Sequence, residues 1–206
     1  MEPMRSLLKR TRSALLLLAL LVLSGCYLPA SFDAELELSR TGHYKISFDG
    51  FIVDTGLYNA IRLDKIDKPK IQEKVTVVLR DFTRDSSTKS VSHFGKGAFK
   101  VAWSKNGDII RSRQVTFFRR NENILSISYN KNTGRIGLAG RYISKKNGDR
   151  IQAMGLDVKG VIRIKTDAKV LSHNAQKTFK EGAVTVYFWE LKSVYDRAPK
   201  MEVVLR

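Results

Sequence analysis

Cys26 is the only cysteine in the chain, so its thiol has no partner for an intramolecular disulfide. Its chemistry depends on what precedes it. Arg5, Lys9, Arg10 and Arg12 form a positive segment, Ala14 to Leu23 an apolar one, and the small residues Ser24 and Gly25 lead into the cysteine. Charge, a short apolar run and small residues in that order read as a secretory signal peptide. The apolar run is about ten residues, and a membrane-spanning helix needs roughly 20. Residues 1–25 are therefore expected to be removed, and 26–206 to form one domain outside the cytoplasm.

The run Leu23-Ser24-Gly25-Cys26 resembles the lipobox of bacterial lipoproteins. That resemblance implies cleavage just before Cys26, diacylation of its thiol and, in many members, acylation of the new amino terminus. Palmitate is a usual chain. Several chains give a stable anchor, because each buried methylene contributes about 0.8 kcal/mol and one chain alone binds only marginally. An aspartate directly after the cysteine would favour the inner membrane of a Gram-negative cell. Tyr27 stands there, which points to the outer membrane, facing the periplasm, in such an organism.

Elsewhere the residue types that usually carry catalysis do not converge. His43, His93 and His173 are neither spaced at i, i+4 nor placed near a cysteine, so the usual zinc patterns are missing. No Gly-x-Ser-x-Gly elbow, Gly-x-Gly-x-x-Gly run or Walker loop occurs. No enzyme activity, cofactor or metal site is expected. Asp33, Glu35 and Glu37 share one face of an alternating segment, and would either hold a cation or line a solvated edge, the commoner case.

Basic residues dominate. The formal charge is +17, and about +14 once residues 1–25 are removed. A tethered basic domain suits an acidic partner: anionic lipid, glycolipid or another envelope component. No run of five like charges occurs, which argues against a nucleic-acid tail. Asn106-Gly107 carries the signal of a two-residue hairpin turn. Such a turn sets Lys100 opposite Arg113, with Arg111 on the same face and Arg119 and Arg120 farther along. Like charges facing each other cost stability, so Lys100, Arg111 and Arg113 are the candidate anion-binding residues.

The elements that must hold these groups are mostly strands. Phe32, Ala34, Leu36 and Leu38 alternate with acidic residues, and Tyr44, Ile46 and Phe48 alternate after a turn at Gly42, which predicts a β-hairpin with one buried face. Leu57, Tyr58, Ile61 and Leu63 suit a short helix. Ile71, Val75, Val78, Leu79 and Phe82 recur at helical spacing after Pro69, which predicts the main amphipathic helix. Further alternation predicts a strand through Phe99, Val101 and Trp103 up to Asn106-Gly107, a return strand over Ile109 to Phe118, and strands through Leu125, Ile127 and Tyr129, through Ile136, Leu138 and Tyr142, and at Val161–Lys165, Lys169–Leu171, Thr185–Leu191 and Met201–Leu205. Asn147-Gly148 reads as another turn. The fold class is α+β: a curved antiparallel sheet or partial barrel of eight to ten short strands with one main helix packed on it.

The C-terminal half carries Gly160-Val161-Ile162-Arg163-Ile164, then Lys169 to Ala175 with His173-Asn174, then Tyr187-Phe188-Trp189-Glu190-Leu191 and Pro199. These segments resemble mycobacterial LppM-like lipoprotein domains. The resemblance implies a curved sheet with helices and binding of lipid or glycolipid; it transfers no contact residue. Read from the residues, His173-Asn174 ends a strand and satisfies local backbone groups. The expected function is that of a non-catalytic, membrane-anchored envelope lipoprotein that binds lipid, glycolipid or another anionic component. The alternative is a scaffold lipoprotein whose partner is another envelope protein.

Overall fold

The computed structural model describes residues 27–117, 124–140 and 142–205. Cys26, the signal segment, Arg119 and Arg120 lie outside them.

The described residues form twelve strands and four helices. The expected opening hairpin is present. Strand β1 (Tyr27–Leu38) pairs antiparallel with β2 (His43–Asp54), with Leu36 opposite Ile46 and Ala34 opposite Phe48. Both faces follow the sequence alternation: Ala34, Leu36, Ile46 and Phe48 are buried, while Asp33, Glu37 and Lys45 are exposed. Helix α1 (Thr55–Arg62) follows at once, capped by Asp54, whose Oδ1 accepts the Leu57 N–H at 2.9 Å. Helix α2 (Lys68–Thr83) is the main amphipathic helix. Asp67 caps it, Pro69 sits in its first turn, and Val75, Val78 and Phe82 are buried. A carboxylate accepting an otherwise orphaned first-turn N–H is what an N-cap supplies.

Strands β3 (Thr88–Gly95) and β4 (Ala98–Asp108) follow as a hairpin turned at Lys96, not at Asn106-Gly107. Asn106 and Gly107 lie inside β4, opposite Lys45 and Tyr44 of β2. Neither has the positive φ that a type I′ turn demands. The glycine is there for another reason. A Cβ on Gly107 would stand 2.7 Å from the Tyr44 hydroxyl, and Tyr44 is buried. The predicted return strand over Ile109 to Phe118 is therefore corrected: a one-turn helix α3 (Ile109–Ser112) follows β4, then β5 (Gln114–Thr116).

The second Asn-Gly pair repeats the lesson. Asn147-Gly148 lies within helix α4 (Lys145–Ala153), whose N-cap is Ser144. A Cβ on Gly148 would meet the Tyr195 ring at 2.6 Å. The remaining strands are β6 (Ser126–Asn130), β7 (Arg135–Ala139), β8 (Lys159–Thr166), β9 (Lys169–His173), β10 (Lys177–Glu181), β11 (Val184–Leu191) and β12 (Lys200–Val204).

Two sheets result, neither closed into a barrel. The larger has the order β10-β11-β8-β1-β2-β4-β3, and the smaller β5-β6-β7-β12-β9. Sheet order departs from the all-antiparallel expectation at one place, since β1 and β8 run parallel. Phe48, Trp103 and Trp189 of the larger sheet, Ile127, Ile136 and Met201 of the smaller, and Val78 and Phe82 of α2 belong to one continuous core.

The acidic face of β1 is neither an edge nor a cation site. β1 is the central strand of seven, and its carboxylates meet cations on both neighbours. Arg163 of β8 bonds Asp33 and, at 3.1 Å, Glu35; Lys165 lies 3.5 Å from Glu35 and 3.2 Å from Glu181; Lys45 of β2 lies 3.5 Å from Glu37. The pair on Lys45 is exposed and those around Glu35 are half-buried; exposed pairs of this kind contribute about 0–1 kcal/mol each. Their main effect is to let an open sheet face stay polar.

Candidate functional site

Lys100, Arg111 and Arg113 are not assembled into the cross-strand cluster that the hairpin reading required. Lys100 lies on β4 between Phe51 of β2 and Ser92 of β3, bonded to Asp49, with its ammonium 5.3 Å from the Phe51 ring centroid. Arg111 belongs to α3, with a 90% exposed side chain 3.9 Å from Asp108. Arg113 ends that helix at φ 62°, its guanidinium 5.9 Å from the Tyr129 ring. The physical cause is the register: with Gly107 inside β4, nothing folds Arg113 back onto Lys100.

The three histidines are dispersed. His43 Nδ1 is 3.1 Å from Thr41 Oγ1, His93 packs on Phe99 and His173 meets the edge of Tyr187 at 4.8 Å. Among the described residues no group of three His, Cys, Asp or Glu side chains could hold a metal ion.

A concavity lies where α2 ends. A cleft of about 880 Å³ opens between the end of α2, the turn into β3, β4 and β5. Tyr27, Phe82, Trp103 and Val115 give it an apolar wall; Asp81, Arg84, Asp85 and Lys105 line it with charge. The wall is built by packing across elements. Tyr27 and Phe82 stand 5.6 Å apart, tilted at 57°, and Trp103 stands 5.8 Å from Phe117. The Tyr27 phenol is pushed up to about 12 by burial and by the charges of Asp54 and Asp81. It stays protonated, a donor as well as an aromatic surface. Opposite charges share the lining with this apolar wall.

Asp85 organises the floor. Its Oδ2 accepts the Trp103 indole N–H at 3.0 Å and its Oδ1 the Ser87 backbone N–H at 2.9 Å. Burial opposes ionisation of this carboxyl, but the bonds from Ser87 and Trp103, with the nearby Lys105 charge, outweigh it and hold it below the usual carboxylate range. A pKa lower in the folded chain than in the unfolded one means that ionisation stabilises the fold above the unfolded value, about 3.9. That stabilisation disappears as pH falls through the folded value. Asp85→Asn should therefore be less stable than the parent at pH 7, and the gap should close in acid. Urea melts at pH 7 and pH 3 check this; a gap that stays constant or widens in acid would contradict it.

Sequence reasoning missed this cleft because its wall is drawn from β1, α2, β4 and β5. One signal was legible: Trp103 alternates into the core, and a buried indole N–H needs an acceptor. Only the fold shows that Asp85, just past the end of α2, supplies it.

The His173-Asn174 reading holds in part: β9 ends at His173, whose Nδ1 accepts the Ala175 N–H at 3.1 Å, but the groups that Asn174 satisfies are distant in the chain. Asn174 Oδ1 accepts from Trp189 Nε1 at 2.9 Å and from the Lys200 N–H at 2.7 Å, while its Nδ2 donates to the Ala198 carbonyl at 2.9 Å. One amide thus fastens β9, β11 and the start of β12 together.

No protein-family model matches this sequence, and no curated protein does. Among solved structures, the chain is similar to the NMR structure of the folded domain of the Mycobacterium tuberculosis LppM protein. The TM-score is 0.44 at 10% sequence identity, over 86% of this chain and 90% of that one.

Proposed function

We propose that this chain is an envelope lipoprotein, anchored through acyl chains on Cys26, whose domain binds an amphipathic molecule in the cleft beside Tyr27. The signal pattern and lipobox support the anchor. The observation that carries the binding role is the cleft's position and composition. Tyr27, on its wall, is the residue next to Cys26, and aromatic surface adjoins Arg84 and Lys105 there. A lipid or glycolipid with an anionic head suits the cations Arg84 and Lys105, which stand over a wall of Tyr27, Phe82, Trp103 and Val115 that is already largely buried. The role is binding without catalysis.

The test uses two fluorescent single-chain lipids, one with a phosphoglycerol head and one with an uncharged head, titrated into the detergent-solubilised lipoprotein. Lys105→Glu should weaken the anionic probe by about 1–2 kcal/mol, roughly 5- to 30-fold, and leave the neutral one within about twofold. Lys105 lies at the rim and its change leaves the core intact. A variant that binds both probes as the parent does would remove the cleft from this reading. Mass spectrometry of lipids retained by the parent would identify the natural head group.

A further inference from the structure

We infer that the β3–β4 turn, with Phe94 and Lys96, is a membrane-contacting surface that sets how the domain sits on the bilayer to which it is tethered. This rests on acylation of Cys26 and goes beyond it, since an anchor alone specifies no orientation.

The first observation is the missing slack. Strand β1 starts at Tyr27, the residue after Cys26. One trans peptide spans only about 3.8 Å between Cα atoms. With acyl chains on Cys26 buried in lipid, the Tyr27 end of the larger sheet must lie at the head-group layer.

The second observation is what else stands at that end. Leu28 pairs with Val53, Val53 with Ala98, and Ala98 with Gly95. That row crosses from β1 to β3 in three steps of about 4.8 Å each. It leads to Phe94, 72% exposed and set against Phe51 at 4.9 Å in an edge-to-face arrangement. The turn beyond it, Gly95-Lys96-Gly97, has φ of 109°, 47° and 74°. Such a tight tip carries Lys96 outward, and among the described residues Lys96 makes no ion pair. Lys100, over the Phe51 ring, is held in an ion pair with Asp49 and packs beside the aromatic pair.

An isolated exposed phenylalanine needs no explanation. This one stands beside a second aromatic ring and the outward Lys96, at the end of the sheet from which the anchor leaves. Aromatic and basic side chains together are the chemistry of the interface: the ring enters the head-group region and each ammonium near the surface gains about 1 kcal/mol from anionic lipid. Phe179 makes the contrast. It is 49% exposed, but its row runs through Val186 and Lys165 to Glu37, ten residues up β1 from Tyr27. At about 3.3 Å per residue it lies roughly 30 Å farther from the anchor along the strands.

The test places a tryptophan at each site in the full lipoprotein. Phe94→Trp and Phe179→Trp are reconstituted separately into vesicles of phosphatidylglycerol and brominated phosphatidylcholine, with the parent as the background of buried Trp103 and Trp189. The position-94 probe should shift to the blue and lose about half its emission to bromine; the position-179 probe should lose less than a tenth. Quenching at position 94 no greater than at position 179, in chains that float with the vesicles, would overturn the orientation and leave the anchor standing. A parent chain that fails to float would overturn the anchor and this surface with it.

Discussion

Trp189→Ala should cost about 3–5 kcal/mol, the usual penalty for emptying a buried aromatic site. Trp189 is 1% exposed, on the inner face of β11, opposite Ile162 of β8. Its loss leaves a cavity between the sheets and takes one donor from Asn174. Total stability of a domain of this kind is about 5–15 kcal/mol, so roughly a fifth or more of it is at stake. At about 2–4 °C per kcal/mol for 150–250 residues, the melting temperature should fall by roughly 6–20 °C. Trp189→Phe keeps most of the volume and loses the N–H, so it should cost less. Calorimetry of both variants separates packing from the hydrogen bond. A cost below about 1 kcal/mol for Trp189→Ala would show that this junction does not hold the sheets together.

The second large effect concerns location. Cys26→Ser should move the protein from the membrane fraction to the soluble fraction, or stall it as an unprocessed precursor, with the domain still folded. Among the described residues no helix is long and apolar enough to cross a membrane. Among the described residues the core runs from Leu28 onward, and the serine variant keeps all of it. Without acyl chains the surface at Phe94 and Lys96 is the remaining contact, and even one myristoyl chain gives only about 10⁴ M⁻¹. Fractionation, labelling with an alkynyl fatty acid and intact mass check this. A serine variant that still takes up label and sediments with membranes would place the modification elsewhere.

Much of the fold was legible because period two and period 3.6 survive in the residues themselves. The β1–β2 hairpin and α2 appear where alternation and helical spacing put them. Asn174 was legible as a strand end satisfying backbone groups, although its bond to Trp189 was not. Two of the misreadings were the Asn-Gly pairs. A glycine serves a turn through its positive φ and serves packing through its missing Cβ, and the letter is the same for both. Gly107 and Gly148 serve packing, against Tyr44 and Tyr195. The first error passed directly to the proposed site, because an imagined turn at Asn106-Gly107 set Lys100 against Arg113.

The sequence by itself determined the opening hairpin, the main helix and the basic balance, and it carries the pattern read as an export signal with its lone thiol. Each of these depends on residues close together in the chain. Tertiary structure alone decided that β1 lies mid-sheet beside a parallel β8, that its carboxylates neutralise Arg163 and Lys165, and that Tyr27, Phe82, Trp103 and Val115 line one cleft. Those neighbours are separated by tens of residues to more than a hundred. Their meeting follows from how buried faces stack and strands pair, which no local period encodes.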